Sequence, residues 1–508
     1  MKKYLVLFGA VLLVMALASP SLAQFKSYGH MEVGTYWLMN QGFFDKDRGD
    51  DNKRGMMQRY RFYLEYGDVK TVRAVLGFEA DSEAWGTASY NQGGYTGTPP
   101  SGVSGNQFNF RPTRIGGPTA ANGNNMGATN TDQLSVELKW AFIDFVIPNT
   151  PLSVTAGLQG FFWGGARAQW LQSTDLPAVM LSANFAPHRI EAYWAKQYKG
   201  NLSTDNDSDF YGLRWLMKQP GMNIEAFALY SNDRRVATET WTWAGTPGAA
   251  GVTNFTLTQS NIARDFEIPQ YWIGAAPSFT VGNFTIEPTG IYQGGKARKY
   301  FRNTPPSGDV DQQGYLLDLL LRYQLGPGLA FEVEGFYASG DDTGKNDKKT
   351  LYTFTPGSES GWSFGNTKSI FYFGNGDFQY YGYRQNSVGG HWFGRGQADY
   401  SPLAWLNLKL NYLYIGDTSK GSAAVNPLTG ATNNAPYLAR TDADKKEIGQ
   451  EINLIGTLKI YQNLTYMVGF GYFITGDVFK GAVPGARLTG NNPGDNAWNL
   501  MTNLKYAF

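Results

Sequence analysis

The chain has 508 residues, with 43 Lys+Arg against 42 Asp+Glu and no cysteine. A balance this close to neutral argues against a nucleic-acid partner, and the missing thiols exclude a disulfide framework, so stability must come from the fold itself. The 62 Gly, 31 Tyr, 32 Phe and 14 Trp belong to a large, aromatic-rich β protein.

Residues 1–23 read as a secretory signal peptide. Lys2 and Lys3 open it, Tyr4 to Leu17 is apolar apart from Gly9, and Ser21-Leu22-Ala23 is a small-x-small cleavage site before Gln24. The other reading, an uncleaved anchor helix, needs a longer apolar run than this, about 20 residues. Without Lys2 and Lys3, 41 of the 43 basic residues remain against 42 acidic ones. Residues 24–508 are expected to form one domain.

From Phe25 onward the period is two. In the first strand Lys26, Tyr28, His30, Glu32 and Tyr36 share a face, with Met31, Val33, Trp37 and Met39 on the other. The second, Met56 to Tyr66, points Tyr60, Phe62, Leu64 and Tyr66 outward and Arg59, Arg61, Tyr63 and Glu65 inward. A turn at Gly67-Asp68 leads to the third, with Arg73, Glu79 and Asp81 inward. After a long Gly/Asn/Thr/Pro link, LSVELKWAF gives a fourth strand with Trp140 and Phe142 expected outward and Glu137 and Lys139 inward.

The pattern continues past turns at Pro148–Pro151, Pro187-His188, Pro220-Gly221, Gly282-Asn283, Gly326–Gly328, Pro402 and Gln462-Asn463. Strand twelve, YLLDLLLRYQ, points Asp318 and Arg322 inward. Strand thirteen, LAFEVEGFY, does the same with Glu332 and Glu334, and strand eleven with Glu287. The stretch from Leu351 to Gly376 could add a hairpin outside the membrane. The last strand, NAWNLMTNLKYAF, alternates Trp498, Leu500, Leu504, Tyr506 and Phe508 against smaller or polar residues.

Eighteen strands result, with eight short turns and nine longer links. The fold class is all-β: a closed antiparallel transmembrane barrel with short periplasmic turns and long outer loops. A secreted β-helix or sandwich also alternates. It does not account for outward rows this apolar, edged with Tyr and Trp, or for the strict short-long alternation of links.

The leader, the hairpin ladder and the terminal Leu504-x-Tyr506-x-Phe508 together resemble the Gram-negative outer-membrane porins. The resemblance covers the whole mature chain and is architectural. It implies an outer-membrane location, contact with outer-membrane lipid and lipopolysaccharide, and a water-filled channel for small hydrophilic solutes. It also implies that Leu504, Tyr506 and Phe508 form the signal read by the barrel-assembly machinery, and it allows a homo-oligomer. Eighteen-stranded members of the class include importers of small carboxylates and basic amino acids and an exporter of acidic polysaccharide. No local motif selects either.

Within such a ring, Arg59, Arg61 and Arg73 would face Glu287, Asp318, Glu332 and Glu334 across the lumen, a basic wall opposite an acidic one. The competing reading pairs Arg59 and Arg61 locally with Glu65, Glu79 or Asp81. After strand five, Phe161, Phe162, Trp163 and Arg167 could fold inward as a constriction or sit as an interface girdle. The aromatics between Trp362 and Tyr383 suit either sugar rings or loop packing.

The link with Asp45, Asp47, Asp50 and Asp51 fails the helix-loop-helix calcium pattern, because Gly49 comes one place early and Met56 stands where Glu is needed. Loose divalent binding there or at Asp205, Asp207 and Asp209 competes with a solvated loop. Three histidines, His30, His188 and His391, make no catalytic grouping by spacing. No metal, phosphate, dinucleotide or haem motif is found, so neither an enzyme nor a cofactor is expected. A structural barrel holding a periplasmic partner, or acting as a surface interaction protein, is the alternative from another class.

Overall fold

The computed structural model describes residues 25–40, 52–84, 114–115, 136–165, 169–198, 207–234, 236–237, 240–244, 256–260, 264–301, 310–340, 348–355, 369–371, 389–419, 446–479 and 494–508. Eighteen long strands form one closed antiparallel sheet. They are β1 (Phe25–Met39), β2 (Lys53–Gly67), β3 (Val72–Ala84), β4 (Val136–Val146), β5 (Leu152–Trp163) and β6 (Gln172–Phe185). Then come β7 (His188–Tyr198), β8 (Ser208–Gln219), β9 (Met222–Asp233), β10 (Arg264–Ala275, continued by Ser278–Val281), β11 (Phe284–Phe301) and β12 (Val310–Gly326). The ring is completed by β13 (Leu329–Ala338), β14 (His391–Leu403), β15 (Leu406–Asp417), β16 (Glu447–Tyr461), β17 (Leu464–Thr475) and β18 (Ala497–Ala507). Each pairs with its sequence neighbours, and β1 pairs with β18 from His30↔Ala507 to Met39↔Trp498. Closure leaves no edge, which is what hydrocarbon demands of a sheet.

The expected turns all fall between even and odd strands. Gly221 and Gly282 hold φ of +72° and +60° in two of them, a region where a side chain would be strained. A short hairpin stands in the link between β9 and β10, where Thr240–Ala244 pairs with Thr256–Ser260; most of the Leu351–Gly376 stretch lies outside the described residues.

Alternation of exposure separates the two faces. Along β12 it is strict from Val310 to Leu321, with Leu316, Asp318 and Leu320 buried and Tyr315, Leu317, Leu319 and Leu321 exposed. Outward tyrosines repeat at one level around the ring, with Tyr211 opposite Tyr230, Tyr230 opposite Tyr271 and Tyr292 opposite Tyr315. Tyr315 stacks on Tyr337 at 5.6 Å. A second aromatic level near the short turns includes Phe284 and Tyr323, 4.6 Å apart. Between Tyr315 and Tyr323 the leucine row spans roughly 20 Å along the normal at an ordinary strand rise and tilt, close to the apolar band of a membrane barrel. The outer face is therefore a lipid face.

Strand four departs from the expected alternation. The β3–β4 register slips between Gly77↔Trp140 and Phe78↔Leu138, making Lys139 the extra residue of a bulge. Past the bulge the parity reverses. Phe142, expected outward, lies beneath the Arg73 guanidinium on the inner side. Trp140, also expected outward, packs on inward Tyr63 at 5.0 Å. Ile143 and Phe145 are the exposed residues instead.

Candidate functional site: the barrel interior

The basic row occupies β2 and β3, where period two turns Arg59, Arg61 and Arg73 to the interior. Each arginine meets a carboxylate, and Arg59 and Arg61 share one. Glu79 receives Arg59 Nε at 3.4 Å, Arg61 Nε at 2.8 Å and Lys139 Nζ at 2.7 Å. Arg73 bridges Asp144 at 3.1 Å and Glu65 at 3.3 Å, and Glu65 also receives Lys26 at 3.3 Å. Across the seam, Lys505 reaches Glu32 at 2.7 Å.

Of the acidic residues, Glu332 and Glu334 are matched by arginines, and Asp318 and Glu287 accept from neutral donors. Glu334 accepts Arg395 Nε at 2.6 Å, and Glu332 accepts Arg395 Nη2 at 2.9 Å and Arg322 Nη1 at 2.8 Å. Asp318 accepts the Trp170 indole at 2.8 Å, and Glu287 accepts Ser278 Oγ at 3.1 Å. Two walls of opposite sign are thus replaced by mixed networks. The local pairing of Arg61 with Glu79 is present; the described side chains do not include Asp81. Arg395 was not singled out in the sequence. Alternation places it inward, but only the register Glu334↔Arg395 shows that it is the partner.

Among the described residues, three segments of the long links enter the lumen. The first follows β5. Phe161 and Trp163 are buried against Tyr193 at 4.4 and 4.9 Å, whereas Phe162 points outward and is exposed. Gly164 and Gly165 then turn with φ of +95° and +110°, and both amides donate to Glu225, at 3.3 and 3.1 Å. A Cβ on Gly164 would lie 2.5 Å from the Leu171 amide, so this reversal requires glycine. Arg167 lies outside the described residues. Trp170 packs on Phe336 of β13 at 4.8 Å and bonds Asp318 of β12, so the segment reaches most of the way across the ring.

The second is 350–355. The Tyr352 hydroxyl donates to the Trp170 carbonyl at 2.7 Å, joining the two segments. Its burial pushes the phenol above its ordinary range. The Trp272 indole donates to the Thr353 carbonyl at 3.0 Å, and Gln293 holds both the Thr353 amide and its hydroxyl.

The third is 369–371, within the aromatic stretch singled out in the sequence. Glu451 of β16, fully buried, accepts Ser369 Oγ at 2.7 Å and the amides of Ile370 and Phe371 at 2.8 Å each. Asn499 of β18 donates to the Ile370 carbonyl at 2.9 Å. The Ile370 side chain lies over two glycines of β17: a Cβ on Gly469 or Gly471 would meet it at 2.7 or 3.0 Å. Phe371 stacks on Phe473 at 5.1 Å.

The other expectations fall as follows. Asp45, Asp47, Asp50, Asp51 and Asp205 lie outside the described residues, as do residues 1–23 and most of Trp362–Tyr383. Asp207 and Asp209 are both held by Lys196, at 2.8 and 2.7 Å. His30 contacts Glu32 at 3.1 Å and His188 packs on Trp215. His391 lies against the Gly389 carbonyl at 3.0 Å and opposite Asp417. Leu504, Tyr506 and Phe508 form an exposed outward row at the short-turn end, with Phe508 stacked on Phe62 and Tyr506.

A closed ring of eighteen strands with a lipid-facing exterior, a charged interior and inward-folded links defines a transmembrane β-barrel. No family model matches the chain, and no curated protein matches it. Among solved structures, it resembles a BenF-like porin from Pseudomonas fluorescens Pf-5 at 10% identity and TM-score 0.49, covering 95% of this chain and 98% of that one. It resembles Pseudomonas aeruginosa OpdK, solved with vanillate, at 8% identity and TM-score 0.47, with the same coverage of both chains. OmpT, an outer-membrane protein of Vibrio cholerae, is similar at 9% identity and TM-score 0.36, covering 95% of this chain and 97% of that one.

Proposed function

We propose that the protein is an outer-membrane channel through which small hydrophilic solutes diffuse passively, and not an enzyme. The observation that carries this is the inner face. An eighteen-strand ring is wider than its own wall side chains can fill, and among the described residues this one turns many charged and amide side chains inward. Such a face is costly unless water or hydrogen-bonding partners meet it. Phe161, Trp163, Trp170 and Tyr352 form the narrow level. Arg59, Arg61, Arg73, Glu287, Asp318, Glu332 and Glu334 belong to the wall above and below it. Because the chain's own segments occupy the lumen, a channel is favoured over a scaffold built to house a separate protein.

Around the barrel, outer-membrane lipid and lipopolysaccharide meet the outward rows. The barrel-assembly machinery reads Leu504, Tyr506 and Phe508 after the 1–23 leader has directed export. The short turns face the periplasm, and the exposed belt leaves a homo-oligomer open. Reconstitution into planar bilayers tests the reading. Stepwise, partner-independent conductance is expected, together with swelling of liposomes in neutral sugar. A folded barrel that neither conducts nor admits sugar overturns it.

A further inference from the structure

One ladder of the ring stops short. β5 pairs with β6 along its whole length, from Leu152↔Ala183 to Trp163↔Gln172, but with β4 only from Val146↔Ser153 to Ala141↔Leu158. Above that point the free edge of β4 is taken by Arg114–Ile115, which pair with Glu137 and Val136. Among the described residues, 159–163 have no strand partner on the β4 side. The bulge at Lys139 stands where the two strands part. Outward aromatics give the height of this split. Their row, which includes Trp194 opposite Tyr211, steps down from Tyr271 to Tyr292, since Tyr292 stands opposite Ile273, as strand tilt requires. Carried back from Trp194 to β5, the same slope puts Gly160 and Phe162 on the row. The split therefore opens at the outer-leaflet interface.

Side chains fill the split. Trp140 is rooted on the inner face, where a Cβ on Gly77 would lie 3.2 Å from its own Cβ. The tip of its ring reaches the other face. A Cβ on Gly160, which has the outward parity of exposed Phe162, would lie 3.1 Å from the indole Cζ2. The indole Nε1 donates to Asp175 at 2.7 Å, and Asp175 has the outward parity of exposed Val179 and Leu181 on β6. Lys139 runs beside it, from Glu79 on the inner face at 2.7 Å to Asp175 at 3.0 Å. A backbone ladder opens only by losing several bonds together. Here the closure consists of side-chain contacts to Asp175 and Glu79, which can part while β4 and β5 keep their other partners. Behind it the wall is aromatic, with Phe161, Trp163 and Tyr193 on one side and Tyr63 and Phe142 on the other.

We propose that the split is a lateral portal, stoppered by Trp140 and Lys139, through which amphipathic molecules with an aromatic or apolar body pass between the outer leaflet and the lumen. The aromatic walls receive the body. Lys139 and Asp175, once parted, meet the polar end at headgroup level, where an amphipathic molecule carries it. The route is lateral, so it goes beyond the axial channel and does not depend on its conductance.

The chain has no cysteine, so a single introduced thiol reports alone. Gln159, beside the split on β5, and Thr289, on β11, are both buried inward residues. Barrels carrying Gln159→Cys or Thr289→Cys are placed in lipid vesicles. They are treated with a pyrenyl maleimide, which partitions into the bilayer, and separately with a membrane-impermeant sulfonated maleimide. The pyrenyl reagent is expected to modify the thiol at position 159 about tenfold faster than that at 289, because local opening exposes only the first to lipid. The sulfonated reagent is expected to show no such preference. Adding Trp140→Ala is expected to raise the rate at 159 several-fold further and leave the rate at 289 unchanged. Equal rates at the two positions with the pyrenyl reagent overturn the portal. A faster thiol at 159 that Trp140→Ala does not affect overturns the assignment of the stopper. Thr174→Cys, on β6 opposite Phe161, takes the place of Gln159→Cys should that variant fail to fold. Should Trp140→Ala fail to fold, the single-thiol comparison still decides on the portal.

Discussion

Arg395 shows what a single interior residue contributes. Its side chain has no exposure, and it makes four hydrogen bonds, to Glu334, Glu332, Gln397 and Asn411, between 2.6 and 3.2 Å. Removing one member of a buried, hydrogen-bonded ion group costs about 3–5 kcal/mol, because the remaining charge stays behind in low dielectric. Arg395→Met should accordingly lower the temperature at which the folded barrel converts to the unfolded band in heat-dependent electrophoresis. Adding Glu334→Gln should restore part of the loss, since the stranded charge is then gone. Equal damage in the single and double variants would mean that Arg395 acts by packing alone. Alternation in the sequence reveals that Glu332 and Glu334 face inward. It does not reveal who stands opposite, because β13 and β14 are separated by a long link and pair by register. An acidic wall was therefore expected where an ion group stands.

At the scale of elements, the strands were legible, while of the inward links only the one after β5 offered itself in the sequence, as one of two readings. Period two, turn residues and aromatic ends are local features, so eighteen strands could be read directly from residue order. The β4 bulge at Lys139 escaped because one extra residue reverses every later face without leaving a mark in composition. The 369–371 insertion escaped for a different reason: its receptor is spread over three strands. Glu451 and Asn499 hold the segment's backbone, and Gly469 and Gly471 make room for Ile370. Buried Glu and Asn facing a glycine strand were its only trace. Hydrogen bonds to a charged group contribute about 1.5–3 kcal/mol each, and Glu451 accepts three. Glu451→Ala should free the segment and raise single-channel conductance. Gly471→Val should do the same by pushing Ile370 out while leaving Glu451 intact. Conductance unchanged in both variants would show that 369–371 does not limit the pore.

At the scale of the whole molecule, the decisive contact is the one with the greatest separation along the chain. β18 must find β1, and no shorter-range pairing substitutes for it, since an unclosed edge leaves a row of backbone groups unpaired in lipid. The contact is slow to form because the whole chain lies between its partners. Once formed, it is secured at its end by Phe508. The Phe508 amide donates to the Gly29 carbonyl at 3.1 Å and its carbonyl accepts from the Gly29 amide at 3.0 Å. Its ring covers Gly29 and stacks on Phe62 of β2, which ties the last strand to the first hairpin. Gly29 is suited to this place: a Cβ there would stand 2.1 Å from the Arg61 carbonyl. Deleting Phe508 removes both backbone bonds and the ring contact. Two such bonds are worth about 1–3 kcal/mol net, a small part of a large barrel's stability. They fall, however, at the last step, where closure competes with the loss of an open chain to aggregation or proteolysis. The shortened chain should therefore assemble slowly and in low yield, while the barrels that do close keep near-wild-type conductance. Pulse-labelling followed by heat-dependent electrophoresis measures the first, and bilayer recording the second. Wild-type assembly kinetics in the shortened chain would remove Phe508 from the closure step and leave the seam to the pairs between His30↔Ala507 and Met39↔Trp498 alone.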